Sequence, residues 1–257
     1  MKKGAGFLIH HSSFELRTSE PGVEGAESGG KPPHSEGASR IQYNPPVSSI
    51  LYLHGFASSP ESQKIRSLRP LLAPVVINAP DLNVPSFEKL DFDAMVEQAA
   101  QAGVPGPHAI VGSSLGALVA LAVVQRGLRA PLVLIAPALG VADQWLDRIP
   151  PGDPVIVPNY ALGTDAPIHR AFFEQMAKVT VDETPPPVPV TILIGSKDES
   201  VPLERVASVW HSWESNGALA RRSKFVVIVE GDHGLTAYVD RIAQAIREAL
   251  ARPSGIL

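Results

Sequence analysis

Residues 108–127 read HAIVGSSLGALVALAVVQRG, and this stretch decides the fold. Its first five residues are nearly all apolar and compact, the pattern of a strand covered on both faces. From Leu115 to Gln125 the same apolar character continues without a break, long enough for a buried helix, and Gly127 supplies a stop. Between them lies Gly112-Ser113-Ser114-Leu115-Gly116, a G-x-S-x-G pentapeptide. A strand that runs into a helix through so short a turn needs small residues on either side of the turn. The serine at its centre is held out at the end of the strand.

Working outward, five more short runs share the strand character: SSILYL (48–53), VVINA (75–79), LVLIA (132–136), VTILIG (190–195) and KFVVIVE (224–230). Helical patterns fall between them at 87–101, 115–125, 203–215 and 235–251. Strand–helix alternation predicts an α/β fold, a mostly parallel, doubly wound sheet with helices on both faces. Residues 139–189 are too long for an ordinary connection and carry Trp145, Tyr160, Phe172 and Phe173. They are expected to form a small inserted cap, with a short helix at 167–178. Residues 1–45 read as an N-terminal extension with room for edge strands and a flexible, Gly/Ser/Pro-rich loop at 18–39. Residues 46–257 form the α/β domain.

A serine hydroxyl is a weak nucleophile until a base removes its proton. On this fold the acid and then the histidine follow the serine in the chain, each in a loop past a strand's C-terminal end. GSKDESVP (195–202) follows VTILIG and offers Asp198, with Glu199 beside it; only one of the two can face a histidine. EGDHG (230–234) follows KFVVIVE and offers His233, with Asp232 as a turn former. Ser114 is therefore expected as nucleophile, His233 as base and Asp198 as orienting acid. His54-Gly55-Phe56 follows SSILYL, and the backbone N–H groups of Phe56 and Leu115 are the candidate oxyanion-hole donors. His54 reads as support for that loop rather than as a base. His108 and His211 read as structural or surface residues, and His169 as a minor substrate-contact candidate. Residues that bind the substrate are not otherwise legible.

Composition narrows the rest. Hydrophobic residues are 44% and charged residues 19% of 257, as in ordinary globular enzymes. The net charge of −4 comes without a cluster of Lys and Arg, which speaks against nucleic acid and anionic membrane as partners. Cysteine is absent, so disulfides and thiolate chemistry are excluded. No His/carboxylate spacing suggests a metal, and no cofactor is expected. Residues 1–13 lack the apolar core of a secretory leader, and a cytoplasmic location is the expectation. The partner expected is a small-molecule ester or thioester.

LYLHGFASSPESQK (51–64) together with IVGSSLGA (110–117) resembles the α/β-hydrolase superfamily and, within it, the small bacterial YqiA-like esterases. The resemblance covers residues 48–251 in motif order. It implies an α/β-hydrolase fold and a carboxylic-ester hydrolase acting on short acyl chains, with Ser114, Asp198 and His233 in the matching roles. The insertion at 139–189 and the N-terminal segment depart from that group. A thioesterase, a triad-dependent lyase and a non-catalytic binding module are the alternatives.

Overall fold

The computed structural model describes residues 48–217 and 219–251. The extension at 1–45, with its expected strands and loop, lies outside the described residues. The chain runs through β1 (Ser49–Leu53), α1 (Gln63–Leu72), β2 (Val76–Asn78), α2 (Phe92–Ala102) and β3 (Ala109–Ser113). It continues through α3 (Leu115–Gln125), β4 (Leu132–Ile135), α4 (Gln144–Asp147), β5 (Val155–Asn159) and β6 (Thr164–Ile168). The last elements are α5 (Arg170–Met176), β7 (Val190–Gly195), α6 (Leu203–Ser215), β8 (Lys224–Ile228) and α7 (Val239–Leu250).

Six strands form one sheet in the order β2-β1-β3-β4-β7-β8, and each neighbouring pair is parallel. Side-chain alternation divides the core between the two faces. Leu51, Leu53, Ile110, Leu132, Leu134, Ile192 and Ile194 point to the side covered by α2, α3 and α6. Ile50, Tyr52, Val111, Val133, Ile135 and Leu193 point to the side covered by α1 and α7. Helix α3 is buried along almost its whole length, which is why it is apolar on every side. None of the described helices is long and apolar enough to cross a membrane.

The sequence patterns at 115–125 and 203–215 coincide with α3 and α6, while other boundaries move for local reasons. The helix expected at 87–101 starts at Phe92, because Asp91 caps it: its side chain accepts the Ala94 N–H at 2.8 Å. The pattern at 235–251 begins with a 3-10 turn at Thr236–Tyr238, and α7 proper starts at Val239. Helix α1 has no counterpart in the sequence reading; Pro70 inside it obscures the helical pattern.

Residues 139–189 hold a two-stranded antiparallel hairpin, β5–β6, with the short helices α4 and α5 on either side of it. The helix expected at 167–178 shortens to α5, because residues 164–168 pair with β5 instead. Asn159 closes the hairpin turn, its Oδ1 accepting the N–H groups of Ala161 and Leu162. The neck of the segment is tied by Asp182, whose Oδ2 accepts the Gly140 N–H at 2.6 Å. Trp213 on α6 donates its indole N–H to the Asp182 carbonyl at 2.7 Å, fixing that neck to the core.

Candidate active site

The turn between β3 and α3 is an elbow of the kind the pentapeptide predicts. Ser114 sits at φ 53° and ψ −119°, a conformation that L residues adopt rarely. Two glycines make the turn possible. A Cβ on Gly112 would lie 2.6 Å from the Gly116 carbonyl oxygen, and one on Gly116 would overlap the Leu53 carbonyl oxygen. The elbow is pinned from β4, since the Ser114 N–H donates to the Ile135 carbonyl at 2.9 Å.

The loops after β7 and β8 bring the other two side chains to the serine. His233 Nε2 lies 3.1 Å from Ser114 Oγ. On its far side, His233 Nδ1 lies 3.0 and 2.9 Å from the two carboxylate oxygens of Asp198. Asp198 Oδ1 also accepts the N–H groups of Ser200 and Val201 at 3.0 and 2.8 Å, which holds the carboxylate fast. The Asp198 side chain is fully buried, whereas that of His233 keeps 31% of its surface. With Nδ1–H turned to the carboxylate, Nε2 is free to accept the serine proton. Glu199, the neighbouring acid, is exposed. Asp232 accepts the Leu235 N–H at 2.8 Å, the turn-forming contact its type favours.

The loop after β1 closes the site from above. Position 55 faces Ser114: a Cβ on Gly55 would stand 3.1 Å from Ser114 Cβ and 3.8 Å from its Oγ. Phe56 follows, and Leu115 opens α3, where a backbone N–H has no acceptor within the helix. His54 is buried beneath this loop. Its Nε2 accepts the Leu82 N–H at 3.0 Å, so its proton lies on Nδ1 and is donated to the Gly55 carbonyl at 2.9 Å. Burial lowers the His54 pKa, against weaker opposing effects of the Gly55 carbonyl and Asp81. A neutral imidazole used at both nitrogens supports the loop and has no capacity left to act as a base.

Ser114 and His233 open onto a cleft of about 900 Å³. Much of the far wall comes from residues 139–189, with Trp145, Val157, Tyr160 and Phe173 among the lining side chains. Phe56 is stacked on Phe172 with ring centroids 5.9 Å apart, and it meets Trp145 and Phe173 edge-on at 5.9 and 6.0 Å. The Tyr160 N–H donates to the Ala57 carbonyl at 3.0 Å, joining the hairpin to the loop after β1. His169 does not line the cleft; it faces Asp153 and Glu88 instead. His108 receives the Ser49 N–H through Nδ1, and His211 lies beside Glu214 on α6. Trp145 and Phe173 lie in the segment expected from sequence to form a cap, but Lys64 was not singled out, because no local motif marks a residue that reaches the cleft from a separate element.

Residues 49–247 match the family described as "Uncharacterised protein family (UPF0227)". The chain belongs to this family. Solved structures place the UPF0227 chain in the α/β-hydrolase fold. Est1E from Butyrivibrio proteoclasticus, in a structure with ferulic acid bound, shares 17% identity at a TM-score of 0.61, covering 82% of this chain and 93% of its own. The esterase domain of a Rhodothermus marinus protein shares 16% at a TM-score of 0.60, covering 82% and 90%. Alpha/beta hydrolase domain-containing protein 10 from mouse shares 19% at a TM-score of 0.59, covering 78% and 88%. No curated protein matches the UPF0227 chain in sequence.

Proposed function

We propose that this protein is a serine hydrolase of carboxylic esters that works through an acyl-enzyme on Ser114. The observation that carries the reading is the unbroken chain from Asp198 through His233 to Ser114 Oγ, opening on a cleft. Ser114 Oγ attacks the ester carbonyl while its proton passes to His233 Nε2. Asp198 keeps the imidazole in the Nδ1–H tautomer and stabilises the imidazolium that forms. The oxyanion of the tetrahedral intermediate is received by the N–H groups of Phe56 and Leu115. As the intermediate collapses, the bond to the alcohol breaks and His233 returns the proton to the leaving oxygen. Water, deprotonated by the same nitrogen, then attacks the acyl carbon, and the acid leaves with Ser114 restored.

The acyl group, a short chain on the family resemblance, meets the apolar wall of Trp145, Val157 and Phe173. The same chemistry serves a thioester, and the triad does not discriminate between the two. A fluorophosphonate probe applied to the wild type and to Ser114→Ala, alongside 4-nitrophenyl esters of graded chain length, tests the proposal. Labelling and turnover in the wild type, both absent from the variant, are expected. An unlabelled wild type with no ester turnover overturns it.

A further inference from the structure

The triad leaves the cations of the cleft unused, and one of them is hydrogen-bonded to the residue next to Ser114. Lys64, in the first turn of α1, donates from Nζ to Ser113 Oγ at 2.9 Å, one residue before the nucleophile. Its side chain forms part of the cleft wall and is only partly exposed. Lys197 and Lys224 each pair with a glutamate, but the Lys64 ammonium, among the described residues, has a neutral hydroxyl as its hydrogen-bond partner. A half-buried ammonium whose hydrogen bond goes to a hydroxyl and not to a carboxylate has N–H capacity to spend on an anion from outside.

The charge of the cleft agrees. Lys64, Arg66 and Arg148 line it, against one carboxylate, Glu61, which is held by Arg69 at 3.2 Å. This cationic lining belongs to a chain whose net charge is −4. Charge of one sign in a concave site concentrates ligands of the other sign. The start of α1 adds to the field: its first turn contains no acid, and Ser62 makes no side-chain cap.

The position of Lys64 also says which end of a substrate it meets. Helix α1 packs against α7, the helix that follows the His233 loop, and Lys64 lines the cleft together with His233, Gly234 and Thr236, whereas Trp145 and Phe173 pack with the opposite face of the sheet. Lys64 therefore lies on the histidine side of Ser114, where the leaving oxygen takes its proton. Resting on the serine-hydrolase reading, we infer that Lys64 is a specificity-determining residue that binds a carboxylate carried by the leaving alcohol. The substrates are then acyl esters of hydroxy acids, with the acyl group against the aromatic wall and the acid against Lys64.

The test compares 4-acetoxybenzoate with 4-acetoxybenzamide, which place an anion or a neutral amide on the same leaving group. The quantity read is the ratio of kcat/KM for the two esters, so a general loss of activity cancels. Lys64→Met is expected to lower that ratio about tenfold, the scale of a lost charge-assisted contact, and Lys64→Arg to keep it within about threefold. In the wild type, 4-hydroxybenzoate is expected to inhibit hydrolysis of the neutral ester more strongly than 4-hydroxybenzamide does, a comparison that needs no variant. A ratio unmoved by Lys64→Met, or equal inhibition by the two products, overturns the inference. So does a Lys64 dependence confined to an acid on the acyl side, read with 4-nitrophenyl hemiadipate against the hexanoate. Fluorophosphonate labelling separates the two levels. A labelled Ser114 with a ratio indifferent to Lys64, or with neither ester turned over, defeats this inference alone; an unlabelled, inactive wild type defeats the hydrolase reading with it.

Discussion

Gly195 and Gly231 touch backbone to backbone: a Cβ on Gly195 would overlap the Gly231 carbonyl oxygen. The contact joins the loop that carries Asp198 to the loop that carries His233. Two hydrogen bonds reinforce it, from the Lys197 N–H to the Gly231 carbonyl at 2.9 Å and from the Glu230 N–H to Ser196 Oγ at 2.9 Å. Gly195→Ala has to separate the loops, and with them the acid from the imidazole. A loss of at least about tenfold in kcat is expected, with destabilisation of about 1–3 kcal/mol from overpacking. Ester kinetics and thermal unfolding of the variant check this; wild-type kinetics would show that the loops do not act as a unit.

Asp198→Asn tests the role of the charge with the shape preserved. Ser200 and Val201 N–H groups already occupy Oδ1, so the amide oxygen keeps those contacts and the amide NH₂ turns to His233. That forces the imidazole into the wrong tautomer for accepting the serine proton. A fall in kcat of roughly 10³–10⁴ is expected, with the fold retained. Steady-state kinetics with circular dichroism of the same sample decide it.

His54 ties stability to pH. Its folded-state pKa is lowered by burial, so below about pH 6.5 the unfolded chain takes up a proton there that the folded chain resists. The unfolded state then binds more protons, and this group's contribution to stability falls as pH falls. His54→Gln is expected to flatten the dependence of urea midpoint on pH between about 5 and 7. It should also cost about 1–3 kcal/mol at neutral pH, because a flexible amide replaces the ring that holds the Leu82 N–H and the Gly55 carbonyl in one fixed geometry. Denaturation curves of both proteins across that range are the measurement.

Phe172 reaches the chemistry through packing. It is buried and stacked on Phe56, the residue whose N–H is the proposed oxyanion donor. Phe172→Ala is expected to destabilise by about 3–5 kcal/mol. With the stack gone, kcat should fall more than KM rises, since the donor acts on the transition state. Retained kcat in a destabilised variant would assign Phe172 to the core alone.

The anion preference assigned to Lys64 should itself depend on pH. Its ammonium donates to Ser113 Oγ from β3, a hydroxyl that also meets Tyr52 of β1, and it is attracted by Asp232 and Asp198 from the loops after β8 and β7, of which Asp198 holds His233. Burial pushes its pKa down to about 8, against the pull of Asp232 and Asp198. The cation is present below that pH and lost above it. The kcat/KM ratio of 4-acetoxybenzoate to 4-acetoxybenzamide is therefore expected to decline as pH rises through about 8. In Lys64→Met the ratio should stay flat.

Much of this protein was written in short stretches of its chain. The elbow at 112–116, the strands at 190–195 and 224–228, and the order serine, acid, histidine are local patterns, because a tight turn and a doubly covered strand each impose composition on adjacent residues. The sheet, helices α3 and α6, and the three side chains that meet at Ser114 could be read from them. Tertiary structure alone decided the rest. The β5–β6 hairpin depends on pairing between Val155–Asn159 and Thr164–Ile168, which outweighed a helical pattern starting at 167. Helix α1 owes its place to packing of Ile65, Leu68 and Leu72 against Ile50 and Tyr52, which outweighs Pro70. Lys64, Trp145 and Phe173 share a cleft only because separate elements converge there, and convergence across the fold leaves no spacing in the sequence to be read.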